Sequence, residues 1–188
     1  MSIAPGEGAG PGPRGAREAS SPLMIRPARE EDLSALGRIT AARDGGSEGE
    51  HAAALKRFLE SGRGEGGSAL LLTAEWGGEI AGFGKCRRQA RPADAPPNAG
   101  PEGWYLAGLI VDERFRRRGI GRALTEARLL WIAQRADRAY YFANARNAAS
   151  VALHAPFGFR ELTRDFSLPG AQFEGGVGVL FELEFRRG

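Results

Sequence analysis

Leu109-Ile110-Val111-Asp112-Glu113-Arg114-Phe115-Arg116-Arg117-Arg118-Gly119-Ile120-Gly121-Arg122-Ala123-Leu124 is the stretch on which the reading of this chain turns. Its first residues end a strongly apolar run that begins at Trp104. From Ile120 onward, Ile120, Leu124, Ala127 and Trp131 follow helical spacing. A buried strand therefore enters an arginine- and glycine-rich turn that opens directly into an amphipathic helix. Such a turn presents unpaired backbone N–H groups at a helix N-terminus, where the dipole also favours anions. Gly119 and Gly121 let the backbone approach a ligand with no Cβ between. Five arginines within nine residues (Arg114, Arg116, Arg117, Arg118 and Arg122) add charge. Together these features predict a cradle for a diphosphate.

Two better-known phosphate sites are excluded. Lys85, which follows Gly84, has no Ser or Thr after it and no glycine five residues before Gly84, so there is no P-loop. Gly119-Ile120-Gly121-Arg122-Ala123-Leu124 ends in leucine where a dinucleotide fingerprint needs its third glycine. Gly10-Pro11-Gly12-Pro13-Arg14-Gly15 matches that spacing literally, but no strand precedes it and two prolines interrupt it.

Working outward, Leu23–Pro27 reads as a short strand, Glu30–Arg43 as a helix and Ala54–Leu59 as a second helix stopped near Gly62. Between the helices, Asp44 to Glu50 reads as a glycine-rich loop with three carboxylates. Ala69–Trp76 and Glu79–Arg87 flank Gly77-Gly78 and predict a β-hairpin. Arg91–Gly103, with four prolines, is a long loop before the strand Trp104–Val111. After the helix Ile120–Arg135 come a strand at Ala139–Ala143 and a short helix from Ala148, capped by Asn147 and limited by Pro156. Phe159–Ser167 is a strand candidate, and a last strand follows with Val177, Val179, Phe181, Leu183 and Phe185 on one face. The order predicts one mixed α/β domain over residues 22–188, preceded by a disordered Gly/Pro-rich tail at 1–21.

The 188 residues are 42% apolar and 26% charged, enough for one hydrophobic core. One cysteine excludes an internal disulfide framework, and two histidines with it argue against a structural zinc site. A net charge of +3 is too small to imply general nucleic-acid binding. No apolar run approaches the roughly 18 residues of a membrane span, and no secretory signal is visible, so a cytoplasmic protein is expected.

The decisive segment resembles the signature of the GNAT superfamily of acyl-CoA-dependent N-acetyltransferases. Arg116-Arg117-Arg118-Gly119-Ile120-Gly121 fits its Gln/Arg-x-x-Gly-x-Gly/Ala pattern, between strand and helix as in the family. Asn147-Ala148-Ala149-Ser150-Val151-Ala152-Leu153-His154-Ala155-Pro156-Phe157-Gly158-Phe159 is similar to its Asn…Ala/Ser…Leu-Tyr…Gly-Phe segment. The resemblance covers roughly Leu23 to Phe185. It implies a single mixed, mostly antiparallel sheet flanked by helices, with splayed central strands that admit acetyl-CoA as co-substrate and no metal. Backbone groups of Leu109, Ile110 and Val111 would meet the pantetheine arm, and those near Leu109 would polarise the acetyl carbonyl. Arg116, Arg117, Arg118, Gly119, Ile120, Gly121 and Arg122 would hold the pyrophosphate. Asn147 and Ser150 would border the arm.

His154 stands where the family often keeps a tyrosine that protonates the departing thiolate. No carboxylate lies in Trp104–Val111, where some relatives place a base, so Glu102 and Tyr105 are the nearest substitutes. Glu48 and Glu50 are candidates for attracting a cationic acceptor. The implied activity is acetyl transfer to a small-molecule or peptide amine by direct attack in a ternary complex. A non-catalytic acyl-CoA sensor and a nucleic-acid-binding protein are the competing readings, and a homodimer is left open. His154 could be a packed histidine, Glu48 and Glu50 a solvated surface, Cys86 a small buried hydrophobe and His51 a solvent-facing side chain.

Overall fold

The computed structural model describes residues 22–63, 67–171, 173 and 176–185. The tail at 1–21 lies outside them. Seven strands form one open sheet: β1 (Leu23–Pro27), β2 (Ala69–Trp76), β3 (Glu79–Gln89), β4 (Gly103–Val111), β5 (Arg138–Asn144), β6 (Arg160–Thr163) and β7 (Gly178–Glu184). Their order is β1-β2-β3-β4-β5-β7-β6, and only β4 and β5 run parallel. Four helices complete the domain: α1 (Leu33–Asp44), α2 (Glu48–Ser61), α3 (Ile120–Ala133) and α4 (Ala148–His154). This is the mixed α/β domain expected from the element order, with the mostly antiparallel sheet that the resemblance implied.

Side-chain alternation divides the core between the two faces. Leu33, Leu36 and Ile39 of α1 and Leu55 of α2 pack with Leu71, Phe83 and Ile110. On the opposite face, Ile120 and Leu124 of α3 pack with Leu72, Ala74 and Ala81, and Leu129 and Ile132 pack with Cys86, Trp104 and Leu106. Each fully buried aliphatic chain contributes about 1.5–3 kcal/mol. Cys86 is among these packed side chains, and burial pushes its thiol up to about 12.

Three elements differ from their sequence pattern, each for a local reason. α2 starts at Glu48 because the Ser47 hydroxyl accepts a hydrogen bond from the Glu50 amide, so Glu48 and Glu50 occupy its first turn rather than a loop. β6 is shorter than expected, for its pairing with β7 slips between Glu161 and Thr163 and Thr163 turns onto the Asp165 amide. β7 is covered on both faces: Phe181 and Leu183 pack on the α3 side with Trp104, Leu129 and Ile132, while on the other side Leu180 packs with Tyr105, Tyr140 and Leu168 and buried Glu182 is held by Arg138 and Arg160, each at 3.4 Å.

Asp32 fastens the start of α1 to the sheet. Its carboxylate receives Arg26 at 2.7 and 2.8 Å and the Arg29 amide at 2.8 Å. Burial by itself would raise its pKa, but the Arg26 and Arg29 hydrogen bonds outweigh that and hold it below the usual carboxylate value. Asp32→Ala is expected to cost about 3 kcal/mol, near the low end for breaking a buried pair, because Arg26 keeps Glu75 at 3.3 Å. A depressed carboxylate contributes stability above its unfolded pKa of about 3.9 and loses it as pH falls through the folded value. Urea unfolding at pH 7 and pH 3 checks this: the gap between parent and variant should narrow in acid.

Candidate functional site

β4 is irregular where the chemistry was expected. Gly84 pairs with Leu109 and Cys86 with Leu106, so Ala107 and Gly108 together oppose the single residue Lys85. This is a β-bulge, and Gly108 supplies the left-handed backbone it needs at φ 72°. The extra residue reverses the parity of the strand. Leu106 faces α3, whereas Ile110, four residues on, faces α1 and α2. The bulge also bends β4 away from β5. The parallel pairing covers only Trp104–Ala139 and Tyr105–Tyr140, and beyond it the two strands part.

The ladder shows which backbone groups face that opening. The Asp112 amide donates to Ala81 at 2.9 Å, making these two a hydrogen-bonded pair. Antiparallel pairs alternate, so Ile110 bonds to Phe83 while Leu109 and Val111 turn their N–H and C=O groups toward the gap. Arg43 Nη1 donates to the Leu109 carbonyl at 3.3 Å and Arg116 Nε to the Val111 carbonyl at 3.4 Å. The carbonyls that β5 would have engaged are thus taken by arginine side chains, and the N–H groups of Leu109 and Val111 remain directed at the opening. Ile110, a candidate on sequence, is turned the other way by both backbone and side chain.

Beyond the gap, β4 leads through a short turn at Glu113–Phe115 to α3. Arg117 (φ 65°) and Gly119 (φ 80°) adopt left-handed backbone that brings the chain sharply into the helix. The opening amides of α3, from Ile120 to Arg122, stand at its positive end. A Cβ on Gly121 would meet Leu153 and Leu109 only at ordinary distances of 3.6–3.7 Å, so the protein's own packing does not require glycine there. The arginines divide: Arg114 pairs with Asp112 and Glu79, Arg118 lies over Trp76 and Phe115, and Arg122 lies over Phe157.

The opening between β4 and β5 continues into a cavity of about 360 Å³ bordered by α4, with Leu109, Tyr141, Asn147, Ser150 and His154 among its walls. Asn147 Oδ1 caps α4 by accepting from the Ser150 amide at 3.0 Å. α4 ends at His154, and Pro156 lies in the following turn, yet the ring stays in place. It stacks on Tyr141 at 4.2 Å, and Nδ1 lies 2.8 Å from the Ser150 carbonyl. A carbonyl only accepts, so Nδ1 carries the proton and Nε2 the lone pair. Burial, assisted by the charge of Arg128, lowers the ring's pKa to about 4. The neutral ring therefore presents an acceptor, opposite in polarity to the acid role suggested by its place in the sequence. Nε2 is buried with no hydrogen-bond partner among the described residues.

A second cavity, of about 160 Å³, lies on the other face of the sheet between α1, α2 and the bulge. Arg43 and Gly108 border both cavities, so the bulge is their meeting point. Lys85, absent from the sequence-stated site, lines this second cavity. It had a signal: it is one of two lysines in an arginine-dominated chain, and it sits inside an apolar strand. Arg43 and Arg128 were missed as well, having no motif around them.

Four of the sequence candidates lie elsewhere. Glu102 is on the loop before β4, exposed and paired with Arg88 at 2.9 Å. Tyr105 is buried at the closed end of the β4–β5 pair, and its hydroxyl donates to the Pro101 carbonyl at 2.7 Å. Glu48 and Glu50 are exposed on the first turn of α2, and neither borders the two cavities. His51 turns Nε2 onto the Gly45 carbonyl at 2.7 Å.

His154 yields a stability test. Its folded pKa lies below the unfolded value of about 6.5, so it contributes stability above 6.5 that is lost as pH falls toward 4. Urea unfolding of His154→Phe should show a shallower loss between pH 7 and 4 than the parent. An unchanged slope would mean the ring is not held neutral.

Comparison with known proteins agrees with this geometry. No curated protein matches the chain at a significant level. Among solved structures, the ribosomal-protein-S18-alanine N-acetyltransferase from Escherichia coli superposes with a TM-score of 0.60 at 21% identity, covering 88% of this chain and 96% of that one. A ribosomal-protein-alanine N-acetyltransferase from Brucella melitensis gives 0.63 at 23% identity, with 86% and 99% covered. A Salmonella typhimurium protein solved with acetyl-CoA, its cofactor, gives 0.61 at 19% identity, with 88% and 95% covered. At these identities the likeness is one of fold. The model of the acetyltransferase (GNAT) family matches residues 35–159, a span containing the bulge, the α3 cradle and His154, and the chain belongs to that family.

Proposed function

We propose that this protein transfers an acetyl group from acetyl-CoA to a primary amine by direct attack in a ternary complex. The observation that carries the proposal is the early end of β4–β5 pairing, with the amides of Leu109 and Val111 directed into the gap and the α3 N-terminus beyond it. An extended arm bearing amides would pair with those edges as a strand would, and a pyrophosphate would reach the opening amides of α3. When bound, acetyl-CoA supplies the thioester carbonyl that the amine attacks. The Leu109 N–H is suited to stabilise the oxygen's developing charge, a role worth about 2.7–4 kcal/mol per donor in other enzymes. His154 Nε2 would accept a hydrogen bond from the bound donor and hold it against α4. Asn147 and Ser150 would border the arm, and the thiolate would take its proton from water.

A non-catalytic acyl-CoA sensor would use the same cradle. The two-sided arrangement at Gly108 favours transfer, because a sensor needs no second cavity on the opposite face. Thiol release from acetyl-CoA across a screen of small amines, amino acids, aminoglycosides and peptides separates the two. Transfer predicts amine-dependent release, and a sensor predicts binding with none.

Two substitutions probe the site. Gly121→Val should weaken acetyl-CoA binding in calorimetry by about tenfold or more while the domain stays folded, and unchanged affinity would remove the cradle. His154→Phe should lower kcat by less than about tenfold, below the 10²- to 10⁴-fold range of a general acid. A larger loss with unchanged acetyl-CoA affinity would restore the acid role.

A further inference from the structure

An alkylamine acceptor is mostly protonated at neutral pH, having a pKa of about 10.4, and as an ammonium it has no lone pair, so a base must take its proton before nitrogen can attack. Neither Glu102 nor Tyr105 reaches the bulge. Lys85 does. It is the one β3 residue opposite Ala107 and Gly108, and it projects toward the α1–α2 face. The missing side chain of Gly108 makes its room: a Cβ there would stand 3.0 Å from Lys85 Cε and 3.5 Å from Nζ. The amine therefore lies over the point where the two cavities meet, 5.3 Å from the centre of the Phe58 ring.

Its surroundings disfavour a held charge. Asp44, the acidic group lining this cavity, is gripped by Arg43 at 2.6 and 2.7 Å. Burial first, then the like charges of Arg43 and Arg87, lower the Lys85 pKa, and Asp44 opposes them only in part. His51 from α2 is the remaining titratable group at the cavity, with Nε2 committed to the Gly45 carbonyl. Phe58, Phe83, Leu55 and Ile110 supply an apolar wall.

We propose that Lys85 is the base that accepts the proton of the attacking amine across the β4 bulge. This rests on the acetyl-transfer reading above. The acceptor's ammonium gives one proton to the lone pair of Lys85 Nζ, and the freed nitrogen lone pair bonds to the thioester carbon as the carbonyl electron pair moves onto oxygen near the Leu109 N–H. The adduct's second nitrogen proton passes to water. The carbonyl then re-forms as the carbon–sulfur bond breaks, the thiolate takes a proton from water, and Lys85 returns its proton to solvent. Ammonium and thioester give amide, thiol and one solvent proton, with Lys85 regenerated.

The chain's two lysines make a direct test, because Lys56 is half exposed and serves as an internal reference. In full-length protein dimethylated with ¹³C-formaldehyde, the Lys85 methyl resonance should titrate at lower pH than that of Lys56. Coincident titrations would overturn the proposal. In turnover of acetyl-CoA with n-butylamine, Lys85→Met and Lys85→Arg should each lower kcat by about 10²-fold, with acetyl-CoA affinity within twofold. Both should leave only the rise of rate with pH that the ionisation of n-butylamine itself imposes. An Lys85→Arg variant within threefold of the parent would mean that Lys85 contributes charge, most simply toward an anionic acceptor, and would equally overturn the base. A parent chain that fails to bind acetyl-CoA would instead refute the acetyl-transfer reading, while the lysine titration would still report on Lys85 itself.

Discussion

One extra residue in β4 organises this protein. With Ala107 and Gly108 set against Lys85 alone, the strand bends and reverses parity, and it leaves β5 after two residue pairs. Everything that follows at the site depends on that departure. A continuous parallel ladder would engage the Leu109 and Val111 edges with β5 and close the gap beside α4. Gly108 makes the bend accessible through its left-handed backbone, and its missing side chain leaves the space that Lys85 fills.

Opening a sheet in its middle costs backbone hydrogen bonds, and the chain replaces them with arginine. Arg43 and Arg116 take the carbonyls of Leu109 and Val111. Arg128, buried within α3, takes the Lys85 carbonyl at 3.2 Å, together with the Leu124 carbonyl and the Thr125 hydroxyl. No carboxylate lies within salt-bridge distance of it among the described residues, and burial lowers its pKa to about 10. Gly84 gives it room, since a Cβ there would stand 3.0 Å from Nε. A planar guanidinium suits this work, reaching several fixed acceptors at once where an ammonium is a compact point charge.

Much of this was legible in the sequence. Strand, arginine-rich turn and helix could be read from Leu109 to Leu124 because apolar period and glycine placement each have a local cause. The Gly77-Gly78 hairpin was legible for the same reason, and so was the cap at Asn147. The bulge was not. Trp104–Val111 reads as an uninterrupted apolar strand, and Gly108 alone does not reveal that two residues oppose one across the sheet. With the bulge hidden, the alternation that separates Leu109 and Val111 from Ile110 was hidden too. The acceptor polarity of His154 depends on the Ser150 carbonyl and on burial against Tyr141, which no spacing rule supplies. Glu48 and Glu50 moved because a single serine cap lengthened α2. Lys85 and Arg43 acquire their meaning only when β3, β4 and α1 converge.

Acetyl-CoA, once bound, would complete the ladder that the early end of β4–β5 pairing leaves open. Residue-resolved amide hydrogen exchange on the full chain, with and without acetyl-CoA, tests it most directly. Acetyl-CoA should slow exchange at Leu109 and Val111 and at the opening amides of α3, while Ile110, already bonded to Phe83, changes little. Protection of Ile110 alongside an unaffected Leu109 and Val111, or no change at any of these amides under saturating acetyl-CoA, would contradict it.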